Sequence, residues 1–198
     1  MEEFNQSLFL LINAPAHPAP VLLAIAELFA GYVIWLVPLS LAALWLRGGE
    51  HIRKLMLEAA LSGVVGLLIA QAIGLVWQHP RPFMIGLGHQ LIPHVADSSF
   101  PSDHLTLLWS VAFGLLVHRE SRAAGAPLAL LGLPVAWARI YLGVHFPLDM
   151  VGAGLVAILS AGLCRREARW LVNPLLPWAT AMHHRVFAPL IRHGWVAK

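Results

Sequence analysis

Apolar residues fill five segments of this chain, and polar residues collect between them. The longest segment runs from Val21 to Leu46, with Glu27 as its only charged residue. The next runs from Leu55 to Trp77 and is interrupted by Glu58 and Gln71. Each is longer than the roughly 20 residues that a helix needs to cross a hydrocarbon layer about 30 Å thick. Both segments are therefore predicted to span a membrane as helices.

Three shorter apolar segments follow, at residues 105–117, 127–142 and 147–164. They reach spanning length if their polar ends extend into the membrane interface or into a cavity lined by protein. The predicted fold is therefore all-α: a polytopic membrane helix bundle with about five transmembrane helices.

Composition agrees with a membrane protein and separates the C-terminal residues from the rest. The 198 residues are 59% hydrophobic and 12% charged, with a mean hydropathy of +0.72, which excludes an ordinary soluble domain. A sixth span near the end would bury three prolines and the polar triplet His183-His184-Arg185. We predict a membrane-embedded domain over residues 1–169 and an amphipathic segment over residues 170–198 on the cytoplasmic face.

The basic residues predict how the bundle is oriented. Of the thirteen lysines and arginines, all but two lie between the first and second segments, between the third and fourth, or after the fifth. Alternating spans put these regions on one side, which the positive-inside rule makes cytoplasmic. The sequence pI of about 9.6 then favours an anionic lipid surface, and not nucleic acid, as a partner.

The two remaining basic residues, Arg81 and Arg139, belong to polar clusters on the outer side. Arg81 lies in the first cluster, residues 77–83, between Pro80 and Pro82. These prolines forbid a helix and stiffen the backbone, so the guanidinium can offer a planar fork to phosphate oxygens. Taken alone, Arg81 fits equally well an arginine that reaches towards lipid headgroups.

The second cluster, residues 97–104, leads directly into the third apolar segment. Ser102 or Asp103 is a suitable N-cap for that helix. The unpaired N–H groups at the start of a helix attract anions. A cap without further function would explain the serine and the aspartate but not His104.

The third cluster runs from Arg139 to Asp149, with Pro147 suited to the first turn of the last span. His145 and Asp149 are four residues apart, so the carboxylate can accept the proton of one imidazole nitrogen and leave the other as a nucleophile. The same pair could be a structural hydrogen bond. Since all three clusters converge on the outer face, three unrelated structural roles would have to coincide there.

Together, Arg81-Pro82, Pro101-Ser102-Asp103-His104, and Arg139 followed by His145 and Asp149 resemble the type-2 phosphatidic acid phosphatase superfamily of membrane lipid phosphatases. Within that superfamily, residues 79–83 and residues 91–94 leading to 99–104 resemble the bacitracin-resistance-type undecaprenyl-diphosphate phosphatases of bacteria. The resemblance covers about residues 4–170.

The resemblance implies a metal-independent hydrolysis in two steps, without a cofactor, through a phosphohistidine. His145 would attack the phosphorus, Asp149 would orient its imidazole, and His104 would protonate the leaving group. The phosphate-binding residues it implies are Arg81, Ser99, Ser102, Asp103 and Arg139. Three further residues are expected to line the site: Glu27, as a carboxylate within a span, and His94 and Asp97 near the entrance.

The implied substrate is an isoprenoid lipid diphosphate in the bacterial cytoplasmic (inner) membrane, hydrolysed on the outer face with bacitracin resistance as a consequence. Two departures from the superfamily pattern bear on this. Gly74 stands where the motif has a lysine, and Ala138 stands where a serine usually precedes the arginine. Alternatives are a phosphatase or phosphotransferase acting on phosphatidic acid, phosphatidylglycerol phosphate or lipid A, and an anion transporter.

Overall fold

The computed structural model describes all 198 residues and contains helices but no β-strands. Along the chain it has ten α-helices: α1 (Glu2–Ile12), α2 (Pro20–Glu27), α3 (Leu36–Arg47), α4 (Glu50–Val76), α5 (Asp103–Leu116), α6 (Arg122–Tyr141), α7 (Pro147–Arg166), α8 (Ala168–Leu171), α9 (Leu176–Val186) and α10 (Ala188–Arg192). The predicted all-α fold is confirmed.

Four stretches are long and apolar enough to cross a membrane: Pro20–Arg47, Glu50–Val76, Arg119–Tyr141 and Pro147–Arg166. The predicted fifth, α5, is apolar but only 14 residues long. Large apolar side chains remain exposed around the bundle, among them Leu68, Leu130 and Leu155. Such a surface is stable against lipid and not against water, so the protein is a multi-pass membrane helix bundle, as predicted.

Helix α5 lies at the centre of this bundle and packs against α4, α6 and α7. Leu105, Leu108 and Leu115 on α5 are completely buried. Because protein covers it, the short helix does not have to match the thickness of the hydrocarbon layer. Its first turn is joined to α4 by Gln71, whose side-chain N–H donates to Asp103 at 2.9 Å.

Two connections cover one end of the bundle: residues 77–102 between α4 and α5, and residues 142–146 between α6 and α7. Gly143 has a φ of +80°, and a Cβ at this position would lie 2.1 Å from the carbonyl oxygen of His89. Only glycine fits that left-handed turn. Asn13 ties the two connections together by donating to the carbonyl oxygens of His89 and Tyr141, each at 3.0 Å.

The C-terminal residues fold back onto the opposite end of the bundle. The indole N–H of Trp45 donates to His183 in α9 at 3.1 Å, and Arg53 donates to the carbonyl oxygen of Ala197 at 2.7 Å. These contacts place α9 and the last residues of the chain beside the adjoining ends of α3 and α4. The division at residues 169 and 170 stays a prediction.

Candidate active site

His145 and Asp149 form a buried pair at the start of α7, with 3.2 Å between His145 Nδ1 and Asp149 Oδ2. The same oxygen accepts the backbone N–H of Phe146 at 2.7 Å and the hydroxyl of Ser99. His145 Nδ1 also lies 3.0 Å from the carbonyl oxygen of Ser99. Because a carboxylate and a carbonyl face Nδ1, the proton belongs there, which leaves a lone pair on Nε2.

Arg81 contacts the other side of the His145 ring. Its Nη1 lies 3.0 Å from His145 Nε2 and donates to the carbonyl oxygen of Val144 at 2.8 Å. Its Nε donates to Asp97 at 2.8 Å and its Nη2 to the carbonyl oxygen of Ser98 at 3.2 Å. A guanidinium can only donate, so its position agrees with a lone pair on His145 Nε2.

Arg139, in the last turn of α6, is the second guanidinium beside this nitrogen. Its Nη2 lies 3.4 Å from His145 Nε2 and 2.8 Å from His94 Nε2. His94 Nδ1 lies 3.0 Å from the carbonyl oxygen of Val95, so Nδ1 donates there and Nε2 accepts from the arginine. The Nε of Arg139 is buried without a hydrogen-bond partner. One charged donor is therefore free to bind an anion.

Burial lowers the pKa of His145 well below its usual value, and the charges of Arg139 and Arg81 lower it further. Burial is also the main cause that lowers the pKa of His94, with a smaller contribution from the same two arginines. Both imidazoles are therefore neutral near pH 7. A neutral imidazole between two guanidinium groups is suited to a substrate that brings negative charge with it.

The first turn of α5 faces the same region. Ser102 occupies the N-cap position, but its buried hydroxyl has no hydrogen-bond partner. His104, one residue into the helix, is half-buried and close enough for its charge to act on His145. With the free N–H groups of this helix start, the turn can contribute hydrogen bonds to an anion and an imidazole that transfers protons.

A cavity of about 420 Å³ adjoins this turn, between the end of α4 and the α4–α5 connection. Its wall includes Gln71, Gly74, Asp97, Ser98 and Asp103. A Cβ on Gly74 would lie 3.4 Å from the Cβ of Ser98. The position where the motif has a lysine is thus part of a cavity wall in this chain.

The structure brings together most of the residues that the sequence singled out. Seven of them form one network of hydrogen bonds and ion pairs: Arg81, His94, Asp97, Ser99, Arg139, His145 and Asp149. Ser102, Asp103 and His104 lie in the adjoining turn. Glu27 does not join them: its side chain is exposed at the end of α2, without a hydrogen bond or ion pair. No contact joins Glu27 to the site, and its role in lining the site stays a prediction.

Sequence reasoning missed two side chains beside the site. Gln71 hydrogen-bonds Asp103, and its amide within an apolar span was the available signal. His79 packs its ring against Phe146, with 5.5 Å between the centroids. The sequence assigned His79 no role in the site, because this ring contact depends on how the α4–α5 connection packs.

Known proteins resemble this chain in sequence and in fold. A family model described as the PAP2 superfamily matches residues 55–172. YbjG of Escherichia coli (strain K12) is 39% identical over 99% of this chain and 98% of its own length. The undecaprenyl-diphosphatase BcrC of Bacillus subtilis (strain 168) is 39% identical over 95% of this chain and 96% of its own. The crystal structure of Aquifex aeolicus LpxE superposes with a TM-score of 0.65 at 27% identity, over 82% of this chain and 95% of that one.

Proposed function

Because the chain belongs to the PAP2 superfamily of membrane phosphatases, we propose that it hydrolyses undecaprenyl diphosphate to undecaprenyl phosphate and inorganic phosphate. The reaction returns the carrier lipid as its monophosphate and confers bacitracin resistance. The substrate assignment is supported by the name of the Bacillus subtilis relative, which this chain matches over nearly its full length.

One observation carries the chemistry: the lone pair of a neutral, buried His145 lies between two arginines, with Asp149 on the other ring nitrogen. The arginines can hold the non-bridging oxygens of a phosphate beside Nε2. Their charge stabilises the additional negative charge that develops in the transition state.

In the first step, His145 Nε2 attacks the terminal phosphorus and forms a P–N bond. The bond between that phosphorus and the bridging oxygen breaks, and undecaprenyl phosphate leaves with a proton from His104. The imidazole, now phosphorylated and cationic, keeps its Nδ1–H. Asp149 accepts this hydrogen bond and stabilises the cation.

In the second step, His104 removes a proton from water, and the water oxygen attacks the phosphorus. The P–N bond breaks, inorganic phosphate forms, and its electron pair returns to His145 Nε2 as the neutral imidazole is restored. Arg81 and Arg139 supply positive charge in both steps, whereas His104 donates a proton in the first step and accepts one in the second.

A lipid diphosphate suits this site better than a monoester for two reasons. Its leaving group is a phosphate, which is a weaker base than the alkoxide that a phosphatidate would release. The Gly74 position also lacks the cationic side chain that could compensate for a poor leaving group. The cavity beside Asp103 offers room for the remainder of the headgroup next to the lipid-exposed Leu75.

The test is phosphate release by the purified protein in matched detergent micelles. Undecaprenyl diphosphate and the shorter farnesyl diphosphate should be hydrolysed much faster than phosphatidic acid, without added divalent cations. His145→Asn is the negative control. Equal or faster release from phosphatidic acid would replace the diphosphate assignment with a general lipid phosphatase.

We further propose that the site faces the outside of the cytoplasmic membrane, from the distribution of basic residues. The buried Cys164 should not react in intact cells, so introduced cysteines report sidedness. A cysteine at the exposed Val95 should react with a membrane-impermeant maleimide, and one at the exposed Ala123 should react only after lysis. The opposite pattern would mean an inward-facing site.

A further inference from the structure

His79 is a nearly buried histidine that the two-step chemistry does not use. It follows α4, and its side chain is 11% exposed. Its Nε2 lies 3.3 Å from the carboxylate of Glu2 at the start of α1. Its Nδ1 is buried and has no hydrogen-bond partner. A buried polar atom without a partner costs free energy, and the contacts of His79 indicate what this cost could serve.

His79 touches both groups that donate to Asp149 besides His145. Its ring packs edge-on against the ring of Phe146, whose backbone N–H donates to Asp149 at 2.7 Å. Its carbonyl oxygen accepts the backbone N–H of Ser99 at 2.8 Å, and the Ser99 hydroxyl donates to the same carboxylate. A displacement of His79 would therefore move two of the three donors that hold Asp149 Oδ2.

The second oxygen of Asp149, Oδ1, is also buried without a partner. On the side of α1, His79 Nε2 lies 3.3 Å from the carboxylate of Glu2. Glu2 and His79 are thus connected to Asp149 through Phe146 and Ser99, and Asp149 is in turn paired with His145.

We propose that His79 is a positioning residue, held by Glu2 of α1, that fixes the orientation of Asp149 behind His145. This proposal rests on the proposed function, because it assigns to Asp149 the role of supporting the nucleophile. It places an additional determinant of the reaction rate in the first cluster, two residues before Arg81, and connects that determinant to the N-terminal helix.

The experiment is a double-mutant cycle of His79→Gln and Asp149→Asn, measured as steady-state release of terminal phosphate from farnesyl diphosphate. His79→Gln alone should lower kcat about tenfold to a hundredfold with KM nearly unchanged. In the Asp149→Asn background it should change the rate less than about twofold, since residues that act as one unit are not additive. Losses that multiply in the double variant would overturn the proposal.

His79→Phe keeps a ring against Phe146 and removes both nitrogens, so it separates packing from hydrogen bonding and charge. It should lose as much activity as His79→Gln; full activity would reduce His79 to a packing role and overturn the proposal. His89→Gln, at an exposed histidine in the same connection, is the matched control and should leave kcat unchanged. If wild-type protein releases phosphate from phosphatidic acid and not from the diphosphate, the substrate assignment fails, and the same cycle is measured with phosphatidic acid.

Discussion

The bundle buries charged groups at both ends, and the two ends differ in whether the buried polar atoms have hydrogen-bond partners. One end holds the histidine–arginine cluster, which consists of His145, Asp149, Arg81 and Arg139. The other holds the Glu58 cluster, in which the carboxylate of Glu58 lies 2.8 Å from His118 Nε2. Both are made of buried ionisable side chains, and burial of charge is costly wherever it occurs.

In the Glu58 cluster, no fully buried polar side-chain atom lacks a hydrogen-bond partner. Ser62 donates to the carbonyl oxygen of Glu58 at 3.0 Å, and Arg53 donates to the carbonyl oxygens of Trp45 and Ala197 at 3.3 and 2.7 Å. By contrast, Arg139 Nε, Asp149 Oδ1 and the Ser102 hydroxyl are buried without partners. We therefore expect the reaction at the end where buried polar atoms lack partners, and not at every place where charge is buried.

The largest effect is expected for substitution of His145, the proposed nucleophile. His145→Asn removes the lone pair beside the two arginines, so phosphate release from farnesyl diphosphate should fall at least about a thousandfold. Glu58→Gln should change the same rate less than about twofold, because nothing connects that cluster to the reaction. The apparent Tm of His145→Asn in detergent should stay close to wild type. Substantial turnover by this variant would end the histidine mechanism.

A second prediction sharpens the electrostatic part of the comparison. Arg139→Gln removes a donor and a charge beside His145, so kcat/KM should fall about a hundredfold. The pKa of His145 is lowered by burial first and by Arg139 next, so the variant should raise it towards its usual value. Protonation of His145 removes the lone pair that attacks phosphorus. The acid limb of the pH profile should therefore move to higher pH in the variant.

The pH profile of kcat/KM for both proteins on one substrate provides this measurement. Titration of the substrate contributes equally to the two curves and cancels in their difference. An acid limb that does not move, or that moves to lower pH, would contradict the arrangement of charges around His145.

The third prediction concerns the partnered end. Glu58→Ala leaves His118 without its hydrogen bond, which should lower the free energy of unfolding by about 2 kcal/mol. Phosphate release per folded molecule at 25 °C should not change. Thermal unfolding in detergent, followed together with activity, provides both quantities. A large loss of activity without a loss of stability would mean that the Glu58 cluster takes part in the reaction.

The sequence predicted the histidine–arginine cluster and not the Glu58 cluster for a physical reason. Motif spacing and topology place Arg81, His104 and His145 on one face without knowledge of side-chain contacts. The partner of Glu58 lies 60 residues away, and only helix packing brings His118 to it. Glu27 illustrates what hydropathy does not predict. The apolar pattern reveals a carboxylate within a span, but the direction of its side chain depends on how the helices pack, and this side chain is exposed.

The smallest expected effect is also the most discriminating. Ser102→Ala removes a buried hydroxyl that has no protein partner. If this hydroxyl binds the phosphate, turnover should fall about tenfold, while the free energy of unfolding stays constant or rises by up to about 1 kcal/mol. Ser62→Ala is the matched change at the other end, where the hydroxyl already donates to Glu58. It should lower stability by about 1 kcal/mol and leave turnover unchanged. Activity and stability should therefore respond in opposite ways to the same substitution at the two ends, and a common response would remove the basis for distinguishing them.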